Sequence, residues 1–196
     1  PPQHPCCSEA VPPSMGVGGT SEIRAPLVAL VGLPNSGKTT LYNALTGSHY
    51  RTVNYPGSTV EYAVGEARLG ERFARVMDSP GIASLSSQSL DEDVTGRALF
   101  GDSAQGMPDV IVVVSDATQL PRHLYPARQL IDAGHRVVVA LTMVDILERR
   151  KNMRVDVATV AAELQCPAVR VDARIETVNA QLREEIGRSL ELPREK

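Results

Sequence analysis

The chain has no tryptophan and only two phenylalanines among its 196 residues. Its core must therefore be built mostly from Val, Leu, Ile and Ala. No apolar run approaches the roughly 20 residues that a membrane-spanning helix needs. The longest candidates, Val110 to Val114 and Val137 to Leu141, have the length of strands. There is no charged n-region followed by a cleavable apolar stretch, so no signal peptide is visible and a soluble chain is expected. Twenty basic against 23 acidic residues leave a net charge of −3, which argues against nucleic acid held by a broad basic face. Three cysteines do not make a disulfide framework. Cys166 reads as a small core residue. Cys6 and Cys7, with His4 nearby, lack the rigid support that a metal site requires.

What the sequence does have begins at Gly32. Gly32 to Thr39 read G-L-P-N-S-G-K-T, a complete G-x-x-x-x-G-K-[ST] phosphate loop. Its glycines allow a tight turn in which successive N–H groups point at an anion. Lys38 can reach the β- and γ-phosphates, and the Thr39 hydroxyl can ligate Mg²⁺. Leu27 to Val31 before the loop reads as a buried strand, and Thr40 to Thr46 after it as a helix whose positive dipole end faces the phosphates. Asn35, Ser36, Gly37, Lys38, Thr39 and Thr40 are thus the expected phosphate-binding residues.

Residues 1–25, rich in Pro, Gly and Ser without periodicity, read as a disordered tail or expression remnant, with one ordered domain over 26–196. Within that domain strand and helix patterns alternate. Ser48 to Ser58 is read as a polar loop. Thr59 to Leu69 and Arg72 to Asp78 form a hairpin across Gly70. Ser79 to Gln88 is a second polar loop, and Asp91 to Phe100 a helix. Asp109 to Ser115 is a strand, Pro121 to Ala133 a helix, and Arg136 to Leu141 a strand. Val155 to Leu164, Ala168 to Val171 and Val178 to Leu190 follow as helix, strand and helix. The pattern predicts an α/β fold of six strands, mainly parallel with one antiparallel member, and helices on both faces. Ligand sites in such sheets lie beyond the carboxyl ends of the strands.

Two further segments fall at strand ends. Asp78-Ser79-Pro80-Gly81 fits D-x-x-G and begins 40 residues beyond Lys38. Asp78 there can hold Mg²⁺ through a water, opposite Thr39, and the Gly81 N–H can sense a γ-phosphate. Thr142-Met143-Val144-Asp145 sits where GTPases carry N-K-x-D. The Asp145 carboxylate can accept from both N1–H and N2–H₂ of guanine, a donor pair adenine lacks. A helix N-cap is the rival reading of Asp145. Thr142 in place of Asn cannot duplicate the amide's contacts, so weaker guanine affinity is expected. Asp172-Ala173-Arg174 stands at the place of the S-A-x loop but matches poorly. Only the Ala173 backbone is expected to contribute.

The phosphate-loop stretch V-G-L-P-N-S-G-K-T-T-L-Y-N-A-L-T-G, followed by N-Y-P-G-S-T-V-E, D-S-P-G-I-A-S-L and T-M-V-D, resembles the cytosolic G domain of the bacterial ferrous iron transport protein B family. Asp116-Ala117-Thr118 with Arg122-His123-Leu124-Tyr125 resembles the same family. The likeness runs over roughly residues 27–190. It implies a P-loop GTPase fold, GTP/GDP and Mg²⁺ as ligands, and a site on the cytoplasmic side of a bacterial inner membrane. It implies that Thr59 is a switch threonine joining Mg²⁺ when GTP is bound, although a core-strand threonine would read the same way. A small helical domain and a membrane permease usually follow in the family, so the sequence is either a piece ending at Lys196 or a version without the helical domain.

Hydrolysis needs an oriented water and charge neutralisation at the β–γ bridge. Ile82 follows D-x-x-G where many small GTPases have glutamine, and Arg51 is the only arginine in the first switch-like loop. Turnover is therefore expected to be slow. The resemblance to GTPases with P-N-x-G-K loops implies that Asn35 helps bind K⁺ in place of an arginine finger; capping the loop is its simpler role. The two polar loops are expected to order with a γ-phosphate and to offer a self-association surface. A GTPase switch domain regulating ferrous iron uptake is the leading reading. A GTPase of the ribosome- or RNA-maturation type and a non-hydrolysing guanine-nucleotide sensor are the alternatives.

Overall fold

The structure, a computed structural model, describes residues 24–47, 50–54, 61–79, 106–151, 153–172 and 174–192. The strands are β1 (Leu27–Val31), β2 (Tyr50–Asn54), β3 (Glu61–Leu69), β4 (Arg72–Asp78), β5 (Val110–Asp116), β6 (Val137–Thr142) and β7 (Ala168–Arg170). The helices are α1 (Lys38–Thr46), α2 (Leu120–His123), α3 (Tyr125–Asp132), α4 (Val144–Lys151), α5 (Val157–Leu164) and α6 (Glu176–Glu191).

One sheet runs in the order β2-β3-β4-β1-β5-β6-β7. β3 is antiparallel to both neighbours, β2 and β4, and every other pairing is parallel. The six expected strands are present with a single antiparallel member. A seventh lies at the edge, where Tyr50–Asn54, read from sequence as loop, pairs with Glu61–Gly65. Its polar composition suits an edge, where only one side needs a partner, so no apolar alternation announced it.

The central strands are buried on both faces, which explains their unbroken apolar runs. Alternate residues feed two cores. Leu27, Ala29, Val31, Ile111, Val113, Val139 and Leu141 pack with Ala127 and Leu130 of α3, Leu147 of α4 and Leu164 of α5. Val28, Leu30, Val112, Val114, Val138 and Ala140 pack with Leu41 and Leu45 of α1 and Leu182 and Ile186 of α6. Helices therefore cover both faces, as expected. Cys166 packs half-buried against the first core.

Three helical readings need correction. The stretch 117–132 is a 3₁₀ turn and two helices, because Pro126 starts a new helix in place of continuing α2. α4 was not anticipated, since its charged Glu-Arg-Arg run masks the buried Val144 and Leu147. α5 starts at Val157, where Asp156 accepts a hydrogen bond from the Ala158 N–H at 3.0 Å as its cap. The helix read over Asp91 to Phe100 and most of the Ser79 to Gln88 loop lie outside the described residues. No helix among the described residues is long and apolar enough to cross a membrane.

Candidate functional site

The carboxyl ends of β1, β4, β5 and β6 converge on the phosphate loop. Gly32 lies so close to β5 that an added Cβ would stand 2.5 Å from the Val114 carbonyl oxygen. Close approach, more than turning, requires glycine there. Gly37 has φ +88° at the N-cap of α1, a conformation in which an L side chain is strained, and no side chain caps the helix there. Asn35 also has positive φ, 65°, which asparagine tolerates better than most residues. With left-handed residues at 35 and 37, the loop has the alternation that turns backbone N–H groups inward. The first-turn N–H groups of α1 are likewise available to an anion.

Lys38, Thr39 and Asp78, predicted separately from two motifs, are brought together. The Thr39 hydroxyl donates to Asp78 Oδ2 at 2.9 Å, and Lys38 Nζ lies 3.5 Å from Asp78 Oδ1. Asp78 Oδ1 is buried and accepts no hydrogen bond among the described residues. A hydroxyl beside a carboxylate whose second oxygen is met, among the described residues, only by the Lys38 ammonium is a hard donor set that fits Mg²⁺, which usually takes one or two protein oxygens and completes its shell with water and phosphate. Ser79, not singled out from sequence, fixes the geometry. Its hydroxyl donates to the Leu30 carbonyl at 2.7 Å, pinning the end of β4 to β1.

Thr142 ends β6 and is buried. Its hydroxyl lies 2.8 Å from the Ser36 carbonyl and 3.2 Å from that of Ser115. The one hydroxyl proton is thus committed to main chain and ties the phosphate loop to the base-reading segment. Met143 takes φ 55°. Asp145 lies inside the first turn of α4 and does not precede it, so the N-cap alternative does not hold. Its carboxylate is met by Arg174, whose Nη2 is 3.0 Å from Asp145 Oδ2 and 2.7 Å from Asp172 Oδ2. Arg174 Nε donates to Asp172 Oδ1 at 2.8 Å. Hydrogen bonds from the guanidinium hold both carboxyls below the usual carboxylate range, with burial opposing. Asp172 and Arg174 therefore join the site, although the poor match of their loop gave them little weight. Sequence offered no signal for a contact spanning 29 residues.

Beside Asn35 a cavity of about 270 Å³ is lined by Leu33, Pro34, Asp116, Arg122 and His123. Here the segment 116–125 is structural. Asp116 accepts from the Thr118 N–H at 2.7 Å, and the Asp116 N–H donates to His123 Nδ1 at 3.2 Å. That bond leaves the proton of the neutral imidazole on Nε2. Ser36 is fully buried, whereas Thr39 and Thr40 are exposed. Thr59, Gly81, Ile82 and Ala173 lie outside the described residues.

The model of the family described as ferrous iron transport protein B matches residues 27–186. The chain belongs to this family. An Fe(2+) transporter FeoB of Legionella pneumophila (strain Lens) is 40% identical over 148 residues, 74% of this chain and 19% of that protein. The chain thus spans about a fifth of the length of the curated relatives it matches. The cytosolic domain of L. pneumophila FeoB superposes with a TM-score of 0.75 at 37% identity, covering 83% of this chain and 68% of that one. The cytosolic domain of the T. maritima FeoB iron transporter in GMPPNP form gives 0.79 at 29% identity, covering 86% and 65%. The fold is accordingly that of the FeoB G domain, a P-loop GTPase type, and the ribosome-maturation alternative falls away.

Proposed function

We propose that this chain binds GTP and GDP with Mg²⁺, hydrolyses GTP slowly, and acts as the switch domain of a ferrous iron transporter on the cytoplasmic side of a bacterial inner membrane. The observation that carries the reading is the meeting of Lys38 Nζ and Thr39 Oγ1 on Asp78, at the uncapped start of α1. A related cytosolic domain in a GMPPNP form supports guanine nucleotide as the ligand.

On this reading Gly37 and Thr40 lend backbone N–H groups to the phosphates, Ser36, whose N–H donates to the Leu33 carbonyl at 3.3 Å, shapes the loop around them, and Lys38 leaves Asp78 to neutralise the β- and γ-phosphates. Thr39 would hold Mg²⁺ directly and Asp78 through a water, with Thr59 joining in the GTP state; the ion supplies charge stabilisation on the transferred phosphoryl oxygens. Asp145 reads the guanine edge, and the Ala173 N–H assists. Thr142 and Met143 hold that loop in place. The Gly81 N–H senses the γ-phosphate. Arg122 lines the cavity beside Asn35 and is the arginine that the described residues bring to this side of the loop. The Asn35 amide oxygen is a hard donor and fits K⁺, which would add positive charge near the bridging oxygen. A permease region in the same or an associated chain is the proposed partner, with self-association through the switch loops and no nucleic acid.

The test is steady-state GTP turnover of wild type and Asn35→Ala in potassium and in sodium at equal ionic strength. Slow turnover that rises in potassium only when Asn35 is present supports the reading. Equal wild-type rates in both salts remove the potassium step, and GTP binding without turnover makes the chain a nucleotide sensor.

A further inference from the structure

Arg174 is well exposed, at 69% of its side chain, yet its guanidinium is held tightly. Asp172 grips it as a fork, Nε on Oδ1 at 2.8 Å and Nη2 on Oδ2 at 2.7 Å. The Arg174 N–H adds a third bond to Asp172 Oδ1 at 3.0 Å. So anchored, the guanidinium has one Nη2 proton left over, and that proton faces Asp145 Oδ2 at 3.0 Å. A guanidinium offers coplanar N–H donors to a carboxylate, as the N1–H and N2–H₂ edge of guanine does. Arg174 gives Asp145 one such donor, on Oδ2, where guanine would give two, so the two compete for the same carboxylate oxygen.

We infer that Arg174, anchored by Asp172, is an internal competitor for the base-reading carboxylate, one that guanine must displace from Asp145 before it can seat. The inference rests on the assignment of Asp145 as the guanine reader. Binding then requires the fraction of molecules in which Arg174 has turned away, and the apparent dissociation constant is raised by the inverse of that fraction. The cost falls on association, because the contact exists before the base arrives. Only guanine bears it, since adenine has no donor pair to place on Asp145. Arg174 is therefore a specificity-tuning residue, not a catalytic one, and it lowers guanine affinity in a domain whose base loop already lacks the asparagine amide.

An exposed ion pair is weak, so the expected effect is modest, about two- to fivefold. The experiment titrates GDP and ADP, with Mg²⁺, into wild type, Arg174→Ala, Asp145→Ala and the double variant, and follows association by stopped flow. Arg174→Ala should bind GDP about two- to fivefold more tightly, through faster association, with ADP affinity unchanged. In the Asp145→Ala background the Arg174 change should have no effect on GDP. Arg174→Lys, which keeps the charge but loses the fork, should fall between wild type and Arg174→Ala. Unchanged or weaker GDP binding in Arg174→Ala overturns the inference while leaving Asp145 as the guanine reader. Unaltered GDP affinity in Asp145→Ala defeats the assignment itself, and the inference with it. Circular dichroism of each variant checks the fold.

Discussion

The hydroxyl of Thr142 lies 2.8 Å from the carbonyl oxygen of Ser36, joining two segments 106 residues apart in sequence. One segment is expected to hold phosphate and the other to read the base. A short side chain thus couples the two halves of the site, although it has no donor left over for a nucleobase. Thr142→Val keeps the shape and removes the bond, leaving a buried carbonyl without this partner. The expected cost is about 1–3 kcal/mol of stability, measured by urea denaturation, together with weaker GDP binding. Thr142→Ser should restore both. A Thr142→Val protein as stable as wild type would show that the contact contributes nothing.

Lys38 and Thr39 converge on Asp78. Asp78→Asn removes the charge while keeping an acceptor. Losing a charge-assisted bond worth about 1.5–3 kcal/mol should slow Mg²⁺-dependent GTP turnover by about tenfold or more. Raising Mg²⁺ should recover part of the loss. Turnover equal to wild type at low Mg²⁺ would remove Asp78 from the metal site.

Burial lowers the His123 pKa, helped by Arg122 and opposed by Asp116, and burial lowers that of His135 as well. The unfolded chain then binds more protons than the folded one once the pH falls below the unfolded value of about 6.5. This contribution to stability is complete above that pH and is lost progressively as the pH falls toward the folded pKa. The urea midpoint should therefore be lower at pH 5.5 than at pH 7.5. His123→Asn can still accept from the Asp116 N–H and should show a smaller drop. An unchanged drop would mean that His123 does not titrate in this window.

Burial pushes the Cys166 thiol up to about 11. At pH 8 about a thousandth of it would be thiolate, against about a quarter for an ordinary thiol. In a Cys6→Ser, Cys7→Ser background, iodoacetamide should label the native protein about a hundredfold more slowly, or slower still, than the urea-unfolded one. Equal rates would place the thiol in water.

Much of the fold was legible because it rests on local signals. Val110 to Val114 and Val137 to Leu141 are apolar without interruption, as strands covered on both faces must be. The phosphate loop announces itself by spacing alone. Tyr50–Asn54 did not, because an edge strand needs no apolar face, and α4 did not, because charge dominates its exposed side. At the site, motifs named Lys38, Thr39, Asp78 and Asp145 singly, but the contacts among them depend on which strands lie side by side. Ser79 on Leu30, Thr142 on Ser36 and Arg174 on Asp145 are all long-range contacts of this kind.

The central claim is that a guanine nucleotide occupies the phosphate loop and is read by Asp145. Calorimetric titration of the intact chain with GDP and with ADP, in Mg²⁺ and potassium, tests it most directly. Charge-assisted bonds from the guanine edge to Asp145 are worth about 1.5–3 kcal/mol, so GDP should bind about tenfold or more tightly than ADP. Equal affinity for the two nucleotides, or no binding of either, would contradict the account.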